Sequence, residues 1–177
     1  SYLVEVYMNT RSYDAALKSI DRIAKPSAQI LEAKQKILFQ LGTQSFANAD
    51  FEQALKYLNQ SIAIGQYNRQ TKADAYYWCG ESYYRLSRMV EAARDFNAYL
   101  QLTTQPNNEM YALANYNLGY IAFHRKDYTQ ASNYFQKYIQ LEKGENATAL
   151  ADAYNRIGDC HLHVRNFEEA KHYYSQA

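Results

Sequence analysis

The sequence contains few residues that break helices or form tight turns. Two prolines and six glycines occur among its 177 residues. An all-β domain of this length needs turn residues about every ten positions, so this composition argues against an all-β fold and favours long helices. Cysteine is also scarce, and Cys79 and Cys160 are too few for a disulfide framework.

The sequence also lacks an excess of charge and a long apolar run. Its 19 Lys and Arg residues nearly balance 18 Asp and Glu residues. Without a basic stripe, neither nucleic acid nor an anionic membrane surface is predicted as a partner. No window approaches the roughly 18 consecutive apolar residues of a spanning helix, so no membrane insertion is predicted for this segment. The chain starts at Ser1 without a signal-peptide pattern, and we expect an excerpt of a longer protein.

Tyrosine is abundant, with 19 copies, and an internal repeat runs through the chain. A short segment that ends in alanine recurs at intervals of 38 or 39 residues, as Tyr13–Ala16, Phe51–Ala54, Met89–Ala92, Tyr128–Ala131 and Phe167–Ala170. Glycine precedes four of these alanines by twelve residues, at Gly42, Gly80, Gly119 and Gly158. A large residue follows each alanine by four, at Ile20, Leu58, Phe96, Phe135 and Tyr174. The sequence therefore contains five copies of one unit.

Each unit is predicted to form a hairpin of two helices. Apolar residues recur at intervals of three and four on both sides of a short polar turn, for example at 125–127. A glycine inside a helix costs roughly 1 kcal/mol relative to alanine, so four glycines in register need a packing reason. We expect the glycines to allow two helices to approach closely, with the second-helix alanines opposite them, namely Ala54, Ala92, Ala131 and Ala170.

This pattern resembles that of the tetratricopeptide repeat (TPR) family. Residues 112–141 show the resemblance best, with family residue types at Leu118, Gly119, Phe123, Tyr128, Ala131 and Phe135. The resemblance implies an all-α fold, a right-handed superhelical solenoid of about five hairpins in a single array. The implied repeats are approximately 1–26 (partial), 27–66, 67–106, 107–145 and 146–177 (partial).

The repeats are longer than the family's usual length of about 34 residues. Ser27, Asn108 and Asn146 have the chemistry of helix N-caps, and they predict first helices that begin about one turn early. Gly65 and Gly144 are predicted to lie just after the preceding second helices and to end them.

A finer resemblance concerns residues 76–86, Tyr-Tyr-Trp-Cys-Gly-Glu-Ser-Tyr-Tyr-Arg-Leu, followed by 92–96. This segment is similar to bacterial cell-envelope TPR proteins, in particular to the TPR domain of the periplasmic coordinator of the Tol-Pal system. The similarity implies a cell-envelope adaptor with a periplasmic location.

In the TPR family the first helices of stacked hairpins line a concave groove. The resemblance implies a non-catalytic scaffold that binds a protein or peptide segment there. The residues at the groove positions are Phe39, Tyr77, Glu81, Tyr84, Arg85, Tyr116, Tyr120, Phe123, His124, Asp159 and His163. We expect the aromatic residues to anchor the peptide and the charged ones to set its register. Other tyrosines have the pattern of core residues, most clearly Tyr76, Tyr83 and Tyr154.

Residues 159–163, Asp-Cys-His-Leu-His, contain potential zinc ligands. Successive helical residues point about 100° apart, so at most two of these side chains converge, and neither a metal site nor a cofactor is predicted. We expect His163 to pair with Asp159 instead. Cys79 and Cys160 occupy positions of apolar residues in the repeat and are predicted to be buried.

Two other functions stay open at this point. One is an architectural spacer that packs against its own chain or self-associates, which predicts oligomers that depend on concentration. The other is a metal-assisted enzyme around Cys160 and His163, which predicts bound zinc after purification.

Overall fold

The computed structural model of the chain describes residues 12–177. This part of the chain contains no β-strand, and a short 3₁₀-helix, Gly65–Tyr67, is its only regular element besides α-helices. The α-helices are α1 (Tyr13–Asp21), α2 (Ala28–Ala47), α3 (Phe51–Ala63), α4 (Arg69–Arg85), α5 (Met89–Leu102), α6 (Glu109–His124), α7 (Tyr128–Leu141), α8 (Ala147–His163) and α9 (Phe167–Gln176).

The helices form two compact units. The first unit ends at Thr104 and includes α1 to α5, whereas the second unit comprises residues 105–177 and includes α6 to α9. Within the units a longer first helix packs against a shorter second helix, in the pairs α2–α3, α4–α5, α6–α7 and α8–α9. The predicted all-α class of repeated helical hairpins is therefore confirmed. Among the helices of residues 12–177, none is both long enough and apolar enough to cross a bilayer.

The first helices begin where the sequence predicts. The side chains of Ser27, Asn108 and Asn146 each accept a hydrogen bond from the backbone N–H three residues further on, at 2.9 to 3.2 Å. Asn68, which was not predicted as a cap, does the same for α4 at 2.9 Å. Such a cap pairs an otherwise unsatisfied N–H group and stabilises a helix by about 1 kcal/mol.

The turn inside each hairpin has one backbone conformation. A φ of 60° to 64° occurs at one residue per turn, namely Ala49, Ser87, Lys126 and Arg165. This left-handed region is uncommon for residues other than glycine. The following residue is the N-cap of the second helix, and its side chain accepts a backbone hydrogen bond at Asp50, Asp127 and Asn166. All four hairpins thus share one turn geometry.

The glycines in register permit close helix contact, as predicted, and the nearest atoms to them belong to a large residue of the second helix. A Cβ atom added to Gly119 would lie 2.8 Å from the ring of Phe135 on α7. The same relation holds for Gly42 with Leu58, Gly80 with Phe96 and Gly158 with Tyr174. At Gly42 the backbone oxygen of Ala54, the predicted alanine, also lies close, 3.4 Å from the added Cβ atom. The alanines are buried, and the large residue one turn further along each second helix fills the space beside the glycine.

The two linker glycines differ from each other. Gly144 has φ +83°, the left-handed conformation expected of a glycine that follows a helix. Gly65 instead starts the 3₁₀-helix, and a Cβ atom there would lie 2.5 Å from the Lys72 side chain. Gly65 lies directly after the C-cap residue Ile64 of α3, as predicted, and it also packs closely against α4.

Candidate functional site

Tyr77 lies in the core of the first unit, and its predicted role as a groove anchor is corrected. Its side chain is 3% exposed. The ring centre lies 5.7 Å from that of Phe96 and 5.4 Å from that of Tyr99, both on α5. The hydroxyl group donates to Glu81 at 3.1 Å. Tyr77 therefore faces the second helix of its own hairpin, whose aromatic residues take its ring out of solvent.

The other predicted residues of the first unit lie at or near the surface. Arg85 is exposed, and its guanidinium carbon lies 5.6 Å from the ring centre of Phe46 on α2. Phe46 also contacts the Trp78 ring at 5.0 Å, so this cluster joins the first helices α2 and α4. Trp78 was not among the predicted residues. The remaining predicted groove residues of the first unit are half-buried, namely Phe39, Glu81 and Tyr84.

In the second unit, two predicted tyrosines converge on a carboxylate that was not predicted. Tyr116 and Tyr120 on α6 both donate a hydrogen bond to Oδ2 of Asp152 on α8, at 2.6 Å for Tyr116. Burial raises the pKa of both phenols and the bond to Asp152 raises it further, to about 12 for Tyr120. Both hydroxyls therefore keep their protons at neutral pH and hold α6 against α8.

The Asp152 carboxylate also takes part in a series of ion pairs along α8. Arg156 lies between two carboxylates, with Nε 3.8 Å from Asp152 and Nη1 3.2 Å from Asp159. The hydroxyl of Tyr174 on α9 donates to the other oxygen of Asp159. About a third of the Arg156 side chain is exposed (32%). Arg156 is thus held in place while part of its side chain remains accessible to a ligand.

Three more predicted residues lie at the ends of α6 and α8 and make aromatic contacts there. His163 stacks on the ring of Tyr128, with ring centres 4.2 Å apart and planes 3° apart. Phe123 contacts His163 at 6.1 Å, and His124 contacts Tyr120 at the same distance. The expected pairing of His163 with Asp159 is corrected, because Asp159 pairs with Arg156 and the imidazole stacks on Tyr128.

We call the face formed by Tyr116, Tyr120, Asp152, Arg156 and Asp159 the α6–α8 surface. It combines two half-buried aromatic rings with a cation held by two carboxylates. Asp152 occupies the repeat position of Asp74, one of the groove positions of the family pattern, so strict use of the repeat register would have found it. Arg156 lies outside those positions, but it is four residues after Asp152 and three before Asp159 on one helix, and this spacing is a sequence signal that could have indicated the ion pairs.

The three tyrosines predicted to lie in the core differ in burial. Tyr83 is buried as predicted, at 8% exposed, whereas Tyr76 and Tyr154 are half-buried, so their predicted core position is corrected. Cys79 and Cys160 are both buried and free, and burial raises the pKa of both thiols, to about 11 for Cys160. Within residues 12–177 no three His, Cys, Asp or Glu side chains are grouped so that they could hold a metal ion.

Comparison with known families gives two matches. Family models described as tetratricopeptide repeat match residues 39–109 and residues 109–177, which together cover the chain from residue 39 to its last residue. Both describe a repeat, and neither indicates an enzymatic family. No match was found among curated proteins.

Several solved structures share the fold. MamA is 19% identical with a TM-score of 0.67, and the alignment covers 98% of this chain and 91% of MamA. YrrB, described as a TPR protein with an unusual peptide-binding site, is 16% identical with a TM-score of 0.65 and coverages of 96% and 78%. BtubC from P. vanneervenii is 14% identical with a TM-score of 0.70 and coverages of 98% and 75%. At these identities the similarities show the fold alone.

Proposed function

The chain belongs to the tetratricopeptide repeat family, whose members are generally non-catalytic interaction scaffolds, and from this premise we propose that the α6–α8 surface binds a peptide segment of a partner protein. The observation that carries the proposal is the hydrogen bonding of Tyr116 and Tyr120 to Asp152, which joins aromatic rings and ion pairs of two first helices into one preorganised face. A preorganised face loses little conformational entropy when a ligand binds.

Each part of the α6–α8 surface has a task in this proposal. The half-buried ring of Tyr120 offers apolar contact area to a side chain of the peptide, at little cost in rotamer entropy. The guanidinium of Arg156 offers N–H groups to the carbonyl or carboxylate oxygens of the peptide. Asp152 and Asp159 hold that guanidinium in position, so the peptide meets a donor that is already oriented.

The comparison with YrrB supports a peptide ligand only at the level of the fold. YrrB is described as having a peptide-binding site, and its similarity to this chain is a shared architecture of helical hairpins. The choice of the α6–α8 surface rests on the contacts within this chain.

A selection of random peptides displayed on phage tests the proposal. Peptides selected on the immobilised chain are expected to lose about tenfold in affinity for Arg156→Ala, because a fixed hydrogen-bond donor is removed. Lys137→Ala is the matched control, since Lys137 is an exposed cation on the second helix α7, and its affinities are expected to change less than about twofold. Equal affinities for the two variants would contradict the proposal.

A second candidate function is self-association, and one observation favours it. Four large apolar residues of the α8–α9 hairpin are exposed, namely Leu162 at 45%, Val164 at 57%, Phe167 at 62% and Tyr174 at 37%. The positions equivalent to Leu162 and Phe167 one repeat earlier are Phe123 and Tyr128, which both contact His163 of α8. The exposed hairpin is therefore suited to packing against a further helix.

The cell envelope stays our proposed location for the partner, on the resemblance of residues 76–86 to envelope TPR proteins. Fractionation of the source cells with an antibody against this chain tests the location. Recovery in the cytoplasmic fraction alone would refute it.

A further inference from the structure

A crevice lies at the opposite end of the α6–α7 hairpin from the α6–α8 surface, where α6 starts and α7 ends. At the equivalent place in the α4–α5 hairpin, hydrogen bonds join the two helix ends. There Gln70 accepts hydrogen bonds from the backbone N–H of Thr104 at 2.8 Å and from its hydroxyl at 2.6 Å. Gln70 also donates to the hydroxyl of Thr103 at 3.1 Å. One amide thus ties the start of α4 to the end of α5.

The α6–α7 hairpin has carboxylates at the positions of this tie. Along the 39-residue repeat, Gln70 corresponds to Glu109 and Thr103 corresponds to Glu142. Two ionised carboxylates have no hydrogen to donate and repel each other, so they cannot form the bridge that Gln70 makes. A cavity of about 460 Å³ lies at this place, and both glutamates line it.

Part of the lining of this cavity is apolar. Leu113 and Leu141 line it and are half-buried, whereas Ala112 and Tyr138 beside them are buried. An alkyl chain that enters the cavity would therefore contact aliphatic carbon atoms of the two leucines. These contacts distinguish the cavity from an acidic patch on an open protein surface.

The charged groups of the cavity are of mostly one sign and are partly fixed. Glu142 accepts hydrogen bonds from the Tyr138 hydroxyl at 3.1 Å and from the backbone N–H of Glu145 at 3.0 Å. The negative charges of Glu142 and Glu109 both add to the burial that raises the pKa of Tyr138. Glu109, Glu142 and Glu145 line the cavity together with one cation, Lys143, and among residues 12–177 no ion pair neutralises these carboxylates.

We propose that the α6–α7 crevice binds a basic side chain, lysine or arginine, of a partner protein. The alkyl stem packs on Leu113 and Leu141, and the cationic head lies between Glu109 and Glu142. Two carboxylates that form no ion pair with another described residue, together with two half-buried leucines, complement a cation that carries an aliphatic stem. A metal ion fits less well, because within the described residues no cluster has the ligands to hold one. The proposal is independent of the α6–α8 surface, which shares no residue with this crevice.

Titration of the ¹⁵N-labelled chain with the peptide acetyl-Gly-Lys-Gly-amide tests the proposal. The probe is expected to shift the amide signals of residues 107–113 and 141–146 with a dissociation constant on the order of 1 mM. The same peptide with norleucine in place of lysine keeps the alkyl stem and removes the charge, and it is expected to cause no saturable shifts. Added salt should weaken the lysine peptide because the attraction is between charges.

The sharpest variant gives the crevice the side-chain types of the other hairpin. Glu109→Gln combined with Glu142→Thr places Gln and Thr at the positions equivalent to Gln70 and Thr103, removes both carboxylates and is expected to weaken lysine-peptide binding at least tenfold. The matched control, Glu168→Gln with Glu169→Gln, removes two exposed carboxylates from α9 in the same unit and should leave binding unchanged. Glu109→Gln alone serves if the double variant loses its dispersed spectrum, because Glu109 is exposed at the first position of α6.

Several outcomes would overturn the proposal. The first is that the variant with Glu109→Gln and Glu142→Thr binds the lysine peptide as well as wild type does. The second is that the norleucine peptide causes equal shifts. The third is that calcium chloride alone shifts the signals of these residues and the lysine peptide does not. Shifts confined to the α6–α8 surface would also refute it, and they would support the peptide site proposed there.

Discussion

Asp95 is a buried carboxylate whose ion-pair partner, Arg94, is exposed, and this arrangement affects the stability of the fold. Its side chain on α5 is almost fully buried, and Nε of Arg94 lies 3.0 Å from its carboxylate. The Arg94 side chain is mostly exposed, so solvent weakens the pair. Burial raises the pKa of Asp95, and the hydrogen bond from Arg94 opposes this only in part. The folded protein therefore carries the cost of an ionised group in its core at neutral pH.

Asp95→Asn is expected to stabilise the protein at pH 7 by roughly 1 kcal/mol, because it removes the buried charge and keeps the shape of the side chain. Since the pKa is raised in the folded state, the stability linked to Asp95 is present below its unfolded pKa and is lost as the pH rises through the folded value. Urea denaturation of both proteins from pH 3 to 7 measures this difference. The difference in the free energy of unfolding should vanish near pH 3. A variant that is less stable than wild type at pH 7 would contradict the argument.

Residues at the same position of successive repeats can have different hydrogen-bond partners. Tyr77 and Tyr116 occupy the same place in successive repeats. Both rings pack on aromatic rings of their own second helix, Tyr77 on Phe96 and Tyr116 on Phe135. The hydroxyl group of Tyr77 donates to a residue of its own helix, whereas that of Tyr116 reaches across to Asp152 on the next first helix. The same side chain thus makes different hydrogen bonds in the two units, because its neighbours differ.

At the scale of the helical element, each hairpin depends on a glycine in the first helix and a large residue in the second. The ring of Phe135 is fully buried and occupies the space in which a side chain at position 119 would lie. Close packing leaves such a ring little room to move. The glycine therefore sets the distance between the two helices of the hairpin.

Gly119→Ala is expected to destabilise the protein by about 1 to 2 kcal/mol, since the cost of overpacking exceeds the gain of roughly 1 kcal/mol in helix propensity. Phe135→Leu in the same chain frees space, so the double variant should be more stable than the sum of the two single effects allows. Urea denaturation of the four proteins of this cycle measures the coupling. Additive free energies would show that the Phe135 ring is not what excludes the methyl group.

Helix starts and turns follow local rules more closely than the helix contacts do. Asn and Ser caps precede the first helices, and the left-handed turn residue lies at the same position in every hairpin. These features involve groups within a few residues of one another, and for this reason three of the four caps of the first helices were readable from residue type and spacing.

At the scale of the whole molecule, the two candidate functions differ in the state they require. Peptide capture at the α6–α8 surface works in a single copy of the chain. Self-association through the α8–α9 hairpin requires at least two copies, because exposed apolar residues of one copy bury those of another.

Sedimentation velocity over a hundredfold range of concentration distinguishes these functions. If the hairpin self-associates, the mass-average sedimentation coefficient should rise with concentration, and Leu162→Ser with Phe167→Ser should abolish the rise by removing the apolar contact. The matched control is Val90→Ser, which changes an apolar residue that is 72% exposed on α5. A coefficient that stays constant, equal for wild type and both variants, would remove the second candidate.

The sequence by itself determined the class of fold, the starts of three of the four capped first helices and the need for glycine inside the first helices. Each of these depends on periodic side-chain burial or on groups close together in the chain. Only the tertiary structure decided which tyrosines are buried, that the Lys72 side chain packs beside Gly65, and that the hydroxyl groups of Tyr116 and Tyr120 meet at Asp152. Those outcomes depend on contacts between different helical elements, whose distances a repeat pattern does not specify.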